Sequence, residues 1–291
     1  MNKRKLGSFA VCAMLLALCA SAEAQQPKKV DACDPTTGVS HTGSEAPVEV
    51  IAGNSASIAL KTLILKWEAA TGIDVHETIM STGGMAAAIS TRHLSSDPND
   101  DVDVLIAPTT TTDQVTNPAA CPNCGLTVEN RYTVGFIPIV LMVQAGRPIP
   151  DVSTIEKLRD VFYAANCITG PARTTSTGVF ITNLFNSQGW AADLDPKFFS
   201  YSTLTNGVLD AVVKVADGTC DVGVTSLINA IIEPSVSWTS LPVQDLIIYQ
   251  TSVASDASNT KDRCYARAFQ DFINAPEQQH DWVAGGFLPA N

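Results

Sequence analysis

The sequence predicts an α/β protein with two lobes, built on two mixed or parallel sheets that two hinge crossovers join. Short apolar strands alternate with segments of helical periodicity, which is typical of parallel α/β units. The alternation occurs twice along the chain, and an extended apolar segment marks each junction. Hydrophobic residues make up 45% of the 291 residues, which is enough to build a core in each lobe.

The N-terminus has the three parts of an export signal. A positively charged head at residues 3–5 precedes an apolar run at 9–20 and a small-x-small motif that ends at Ala24. We expect cleavage after Ala24, so that residues 1–24 are a signal peptide and the mature protein is periplasmic or secreted. A membrane anchor and a lipid on Cys19 are the alternatives, but the apolar run is short and Cys19 follows a leucine.

The first α/β series follows a polar tail at residues 25–46. Strands are predicted at 48–52, 73–79 and 101–107. The first helix has apolar residues at i, i+3, i+4 and i+7 and ends at Gly72, with Ser55 or Ser57 as its expected N-cap. Its apolar residues are Leu60, Leu63, Ile64 and Trp67. A second helix is marked by Met85, Ala88, Ile89 and Arg92.

The second series begins after an apolar segment at 133–143 that Pro138 interrupts. Its predicted strands are 167–170 and 221–225. Its predicted helices are 179–188 and a segment marked by Val208, Ala211, Val212 and Val215.

The C-terminal part returns to the first lobe. A strand is predicted at 246–250, and a final helix carries an apolar stripe that we interpret as core. The stripe is Tyr265, Ala268, Phe269, Phe272 and Ile273. We therefore assign 47–137 and 248–291 to lobe 1 and 138–247 to lobe 2.

Composition excludes some function classes. The formal net charge of −11 disfavours DNA or RNA as a partner, because proteins that bind polyanions are normally basic. No Gly-x-Ser-x-Gly or His-Glu-x-x-His motif occurs in the sequence. A secreted hydrolase therefore stays an alternative, but the sequence shows no recognisable set of catalytic residues for it. We expect no cofactor and no metal.

Six cysteines lie beyond the signal peptide, an even number that suggests disulfides in an exported chain. Cys121 and Cys124 lie between loop-forming residues, so we interpret them as a structural clip. A redox dithiol and half of a zinc site are the alternatives. For the remaining four we pair Cys167 with Cys220 and Cys33 with Cys264.

Three predicted strand-to-helix turns are rich in hydroxyl groups and glycine: 53–57, 81–84 and 174–178. Ligands of open parallel sheets bind at the carboxyl ends of the strands, where helix N-termini offer backbone N–H groups. Ser and Thr add neutral donors. These turns predict a cage for a small anion, although each one alone also fits ordinary helix capping. Arg173 precedes the third turn. We expect it either to bind a carboxylate group of the ligand or to be a solvated loop charge.

Several segments, in this order and spacing, resemble the periplasmic molybdate-binding protein family, within the extracytoplasmic solute-binding proteins of ATP-binding cassette (ABC) importers. The resemblance extends from about Val48 to the C-terminus. The segments are 50–55, 67–73, 81–84, 101–104, 170–178 and 217–224.

The resemblance implies a periplasmic-binding-protein-like fold that closes on its ligand like a hinge. It assigns ligand contacts to Ser55, Thr82 and the backbone of Thr177, with another backbone contact near Val208. The tyrosine of the family falls on Ser226, which removes a phenolic donor and leaves the molybdate assignment weaker than the scaffold.

We therefore expect an exported, monomeric solute-binding protein, not an enzyme. It would deliver a molybdate-like oxyanion or a small carboxylate to the membrane subunits of an ABC importer. A secreted hydrolase, a thiol-redox protein and a ligand-sensing partner of a membrane receptor are the alternatives.

Overall fold

The structure is a computed structural model that describes residues 47–93, 102–201, 207–243, 246–254 and 260–290. The strands, numbered along the chain, are β1 (Val48–Gly53), β2 (Val75–Met80), β3 (Val104–Pro108), β4 (Val128–Ile137), β5 (Ile139–Gln144), β6 (Ile168–Pro171), β7 (Phe198–Tyr201), β8 (Val222–Ser226), β9 (Val236–Ser240), β10 (Ile247–Ala254) and β11 (Leu288–Pro289).

The helices alternate with the strands. They are α1 (Ser57–Thr71), α2 (Met85–His93), α3 (Thr109–Thr116), α4 (Ile155–Ala164), α5 (Ser176–Ser187), α6 (Ala191–Leu194), α7 (Gly207–Ala216), α8 (Leu227–Ile231), α9 (Thr260–Asn274) and α10 (Gln279–Ala284). None of the helices in the described ranges is both long and apolar enough to span a membrane.

The strands form two mixed sheets, as predicted. In the first sheet the order is β11-β4-β10-β3-β1-β2, with β1, β2 and β3 parallel and β10 antiparallel to both β3 and β4. In the second the order is β7-β6-β8-β5-β9, with β6, β7 and β8 parallel. This α/β architecture with two separate sheets confirms the predicted fold class.

The chain passes between the sheets twice. The first crossover is at Pro138, between β4 and β5, and the second lies between β9 and β10. Proline has no backbone N–H to donate to a ladder, so Pro138 ends one strand's pairing and lets the next join another sheet. The lobe boundaries at 137/138 and 247/248 remain a proposal, which the sheet order supports.

Each sheet packs its helices over an aromatic core. In the first lobe, Trp67 of α1 lies 5.5 Å from Phe269 of α9, ring centroid to ring centroid. Tyr265, Phe269 and Ile273 are buried, so the interpretation of this stripe as core is confirmed. In the second lobe a separate cluster surrounds Phe185 of α5.

Local predictions hold best where the hydrophobic periodicity is strong. Helix α1 ends at Gly72 in the left-handed conformation, as expected.

Three predictions about individual elements are wrong. Neither Ser55 nor Ser57 caps α1, whose N-cap is Ala56 without a side-chain bond. Helix α5 starts at Ser176, three residues before 179, because Thr175 caps it by accepting from the backbone N–H of Gly178. Strand β10 extends to Ala254 because its polar residues pair between two neighbouring strands.

Two of the predicted disulfides are present. Cys121 is bonded to Cys124 and Cys167 to Cys220. Both sulfur atoms of the first pair lie against the carbonyl oxygen of Ala86 in α2, so this clip holds its loop on that helix. Cys264 also belongs to a disulfide, whereas Cys33, its predicted partner, lies outside the described residues.

Candidate ligand-binding site

A small cavity lies between the two sheets, at the carboxyl ends of their parallel strands. From the first lobe it is lined by the residues that follow β1 and β2, by the end of β3 and by two side chains of β10. From the second it is lined by the start of α5, the end of β8 and α8. The lining residues are Asn54, Ser55, Ser81, Thr82, Pro108, Thr175, Ser176, Thr177, Ser226, Asn229, Ile247 and Tyr249. The sequence therefore predicted correctly which edge of each sheet carries the pocket.

The cavity has a volume of about 30 Å³. An ordered water needs about 10–15 Å³ on the same scale, so this space holds roughly two or three waters or one small anion.

Ser55 lies in a single 3-10 turn, Asn54–Ala56, between β1 and α1. Its side chain is buried, and its hydroxyl lies close enough to the phenol of Tyr249 on β10 to oppose the rise in the pKa of that phenol. Gly53 before it is needed for this contact, because a Cβ there would lie 2.6 Å from the Tyr249 Oη and 3.3 Å from Thr82 Cγ2. The glycine lets three neighbouring strands converge on one point of the cavity.

Thr82 begins an equivalent 3-10 turn, Thr82–Gly84, that leads into α2. Its N-cap Ser81 makes no capping bond through its side chain, although Ser81 takes part in another interaction. The turns after β1 and β2 thus have the same geometry, since those strands are parallel neighbours in register. Both bring a hydroxyl to the cavity.

The second lobe contributes the first turn of α5. The Thr175 hydroxyl is used locally, because it donates to the carbonyl of Ala172 and accepts from the backbone N–H of Gly178. Thr177, two residues on, is buried and also lines the cavity. The start of this helix therefore combines one structural hydroxyl with one that faces the ligand space.

Ser226 ends β8 and is only 3% exposed. Its Oγ accepts a 2.6 Å hydrogen bond from the side-chain amide of Asn229. Asn229 is equally buried and is a lining residue that sequence reasoning missed.

Hydroxyl groups connect the two lobes across the cavity. Ser55 Oγ lies 3.4 Å from Ser226 Oγ, and Thr110 Oγ1 lies 3.4 Å from Ser176 Oγ. These distances exceed the usual 2.7–2.8 Å of an O–H···O bond, so the contacts are weak. The two lobes are therefore close together, and a ligand can still draw these hydroxyls towards itself.

The described part of the lining contains no charged side chain. Its one titratable group is the phenol of Tyr249, which is 2% exposed. Burial raises the pKa of Tyr249 to about 12, against the opposing effect of the Ser55 hydroxyl. The phenol is therefore a neutral hydrogen-bond donor at physiological pH.

Tyr249 was not predicted as a site residue. The resemblance aligned the family's tyrosine with Ser226, where this chain has no phenol. In the structure a phenol comes instead from β10 in the other lobe. The only signal in the sequence is an aromatic residue inside an apolar strand, which is equally typical of a core position.

Arg173 is not among the described lining residues of the cavity. The Arg173 guanidinium donates to Asp195 at 2.6 Å and to the Thr182 hydroxyl, and it lies over the ring of Phe198. Because its guanidinium is paired with Asp195, Arg173 acts as a loop charge within its own lobe and not as the predicted partner of a ligand carboxylate. Val208 lies in the first turn of α7, and the adjoining residues 202–206 lie outside the described part, so its predicted backbone contact stays a prediction.

Comparison with known protein families gives a match over residues 48–288 to the bacterial extracellular solute-binding proteins. The chain belongs to this family. The resemblance to solute-binding proteins noted in the sequence is thereby confirmed. A comparison with curated proteins finds no match in sequence.

Solved structures of solute-binding proteins share the fold. The periplasmic molybdate-binding protein of Azotobacter vinelandii aligns with a TM-score of 0.62 at 16% identity, over 84% of this chain and 100% of its own. The sulfate-binding protein of Mycobacterium tuberculosis aligns at 0.60 and 15%, over 85% and 88%. A periplasmic binding protein of Actinobacillus pleuropneumoniae with bound fructose-6-phosphate aligns at 0.59 and 14%, over 85% of both chains.

These relatives have different ligands, and their identities to this solute-binding protein are low. The likeness therefore establishes the fold alone. The ligand of this chain has to be argued from its own cavity.

Proposed function

We propose that this solute-binding protein captures a small, fully ionised oxyanion of the molybdate and sulfate type between its lobes. It delivers the anion to the membrane subunits of an ABC importer and performs no chemistry on it. The observation that carries the proposal is a cavity lined by hydroxyl, amide and phenol groups from both lobes, with no charged side chain among its described lining residues.

Neutral donors suit such an anion because several hydrogen bonds together stabilise its negative charge. Helix N-termini add backbone N–H groups and a partial positive charge, and α1, α2 and α5 all begin at the cavity. Closure around the anion replaces its water shell with these fixed dipoles, which offsets the cost of dehydration.

The cavity also favours some anions over others. A volume of about 30 Å³ suits an anion of a few atoms. An iron ion prefers ligands such as carboxylate and imidazole, which the described lining does not offer. A small carboxylate stays the second candidate ligand, although Arg173, its expected partner, is paired with Asp195.

Export follows from the same proposal. Residues 1–24 would act as a cleaved signal peptide, consistent with an extracellular family. Mass measurement of the mature N-terminus in cells that secrete the protein checks the cut after Ala24.

Thermal unfolding with a panel of anions tests the ligand class. The panel is molybdate, tungstate, sulfate, phosphate and acetate, each added to the purified mature protein as its sodium salt, with sodium chloride as the control. A ligand that binds only the folded state raises the unfolding midpoint as its concentration increases. We expect a shift with at least one of molybdate, tungstate and sulfate, confirmed by calorimetric titration. A shift with acetate alone would show that the ligand is a small carboxylate and not an oxyanion of the molybdate type. No shift with any of the five anions would contradict the proposal.

A further inference from the structure

We propose that a hydrogen-bonded chain of four side chains crosses the cleft and makes Tyr249 a specificity-determining residue for the anion. The chain is Asn229–Ser226–Ser55–Tyr249. This inference rests on the proposed function and adds Tyr249 and Asn229, which sequence reasoning did not assign to the site.

The chain has a direction, which Asn229 sets. Its amide N–H donates to Ser226 Oγ at 2.6 Å, so Ser226 receives this bond without using its own proton. A side-chain amide nitrogen can only donate. The Ser226 hydroxyl proton must therefore point elsewhere, towards Ser55 or towards the cavity.

The weak link lies where the two lobes meet. Ser226 and Ser55 are 3.4 Å apart, oxygen to oxygen. On the other side Ser55 faces the Tyr249 phenol across the cavity wall and acts on the pKa of that phenol. Three hydroxyl groups therefore share two links, and at least one O–H remains to be donated to a ligand. A bound anion satisfies the remaining donor and strengthens the contact between lobes.

Tyr249 is placed to be that donor. Its ring is fixed by edge-to-face packing on Phe287, with ring centroids 5.4 Å apart. Its oxygen is held beside Gly53 and the Thr82 side chain at the cavity wall. Burial keeps the phenol protonated, so its O–H stays available to donate to an anion. An anion that presents only acceptor oxygens can take this bond at any of them, whereas an anion that keeps a proton has one strong acceptor fewer, so Tyr249 favours the first kind.

The test uses Tyr249→Phe, which removes the donor and keeps the ring on Phe287. Tyr163→Phe is the matched control, because the Tyr163 phenol bonds Asp193 on the surface of the second lobe. Calorimetric titrations with sodium molybdate, sodium tungstate and sodium sulfate are run separately on all three proteins. We expect Tyr249→Phe to weaken binding by about 10- to 100-fold, the usual effect of losing a bond to a charged group. Tyr163→Phe should bind as the parent protein does.

Asn229→Asp tests the direction of the chain. A carboxylate at this position accepts from Ser226 and takes away the proton that the chain would donate. Binding should weaken at pH 8 and recover as the pH falls and the new carboxyl group is protonated, whereas the parent protein shows no such change. Asn186→Asp, an exposed site in the same lobe, controls for the added charge.

The outcomes separate the two proposals. If the parent protein binds none of molybdate, tungstate and sulfate, the proposed oxyanion function fails and this inference fails with it. If the parent protein binds but Tyr249→Phe binds equally well, only this inference is overturned. Unfolding midpoints measured without ligand establish that both variants are folded, and a pH-independent Asn229→Asp would overturn the role of Asn229.

Discussion

The hydroxyl groups at the cavity are of two kinds. Some already cap a helix, and others make no capping bond. Thr175 caps α5 and bonds Ala172, so its hydroxyl belongs to the local structure. Ser55 makes no capping bond, since α1 starts from Ala56, and its hydroxyl meets Tyr249 and Ser226 instead. The same residue type therefore has a structural role in one turn and a proposed binding role in another.

Ser55→Ala and Thr82→Ala should each weaken anion binding by about 1–3 kcal/mol, because each removes a proposed donor to a charged ligand. Titration calorimetry with the anion identified by the thermal screen measures the loss. Thr62→Ala is the control, since Thr62 lies on the exposed side of α1 and bonds its own helix backbone. Unchanged affinity in both pocket variants would remove these residues from the site.

Binding of sulfate should be independent of pH between about 6 and 9. Sulfate carries no proton in this range, and Tyr249, the titratable group of the described lining, stays protonated because its pKa of about 12 lies above the usual value. Affinity should fall only when alkaline pH ionises the phenol, which turns a donor into a repelling charge. Titrations at several pH values in buffers of equal ionic strength check this, and a steep change near pH 7 would indicate a histidine in the site.

Among the elements, the two disulfides close loops of very different length. Cys121 and Cys124 are separated by 3 positions and hold their loop against α2. Cys167 and Cys220 are separated by 53 positions and join the start of β6 to the segment before β8. In the chain-entropy account, stabilisation rises with loop length.

Replacing both cysteines of a pair by alanine should therefore have unequal effects. The loop-entropy relation predicts a loss of about 4 kcal/mol for Cys167–Cys220 and about 1.5 kcal/mol for Cys121–Cys124. Urea unfolding of the two double variants measures the free energies, with the other disulfide left intact in each. Equal losses would show that local packing, and not chain entropy, dominates.

At the level of the whole molecule, the crossovers and the cavity rim bring the lobes together. Ile247, at the second crossover, packs against both cores. The backbone N–H of Leu227 donates to the carbonyl of Pro138 at 2.8 Å, which ties the start of α8 to the first crossover. At the rim, a Cβ on Gly83 would lie 3.2 Å from the Thr174 Oγ1 of the other lobe.

The pair Gly83→Cys and Thr174→Cys should therefore form a disulfide that locks the lobes together, because the Thr174 Oγ1, whose place the cysteine sulfur would take, lies only 3.2 Å from a Cβ at position 83. We expect ligand release to slow strongly in the oxidised protein and to return to normal after reduction. Exchange of bound radiolabelled sulfate against unlabelled sulfate, or of molybdate if that is the ligand, measures the release rate. Each single cysteine variant is the control, and a locked protein that exchanges ligand freely would argue against binding between the lobes.

Periodicity and turn chemistry predicted most of the parallel strands, several of the helices and the two crossovers, but not the parallel strand β7 or the amphipathic helix α4. They also predicted three of the turns at the cavity, since a turn between a parallel strand and its helix lies at the binding edge by topology. Helix α3 was missed because its first four residues are threonines, a residue type without strong helix propensity.

The sequence by itself determined the scaffold, because strand and helix formation depends on residues close together in the chain. It also determined the chemistry of each turn. Which hydroxyls meet was decided by the tertiary structure alone. Ser55 and Ser226 are 171 positions apart and come together only after the chain has crossed from the first sheet to the second. Tyr249 reaches the cavity only because β10, after the second crossover, returns to the first sheet and pairs with β3, a long-range register that no local pattern encodes.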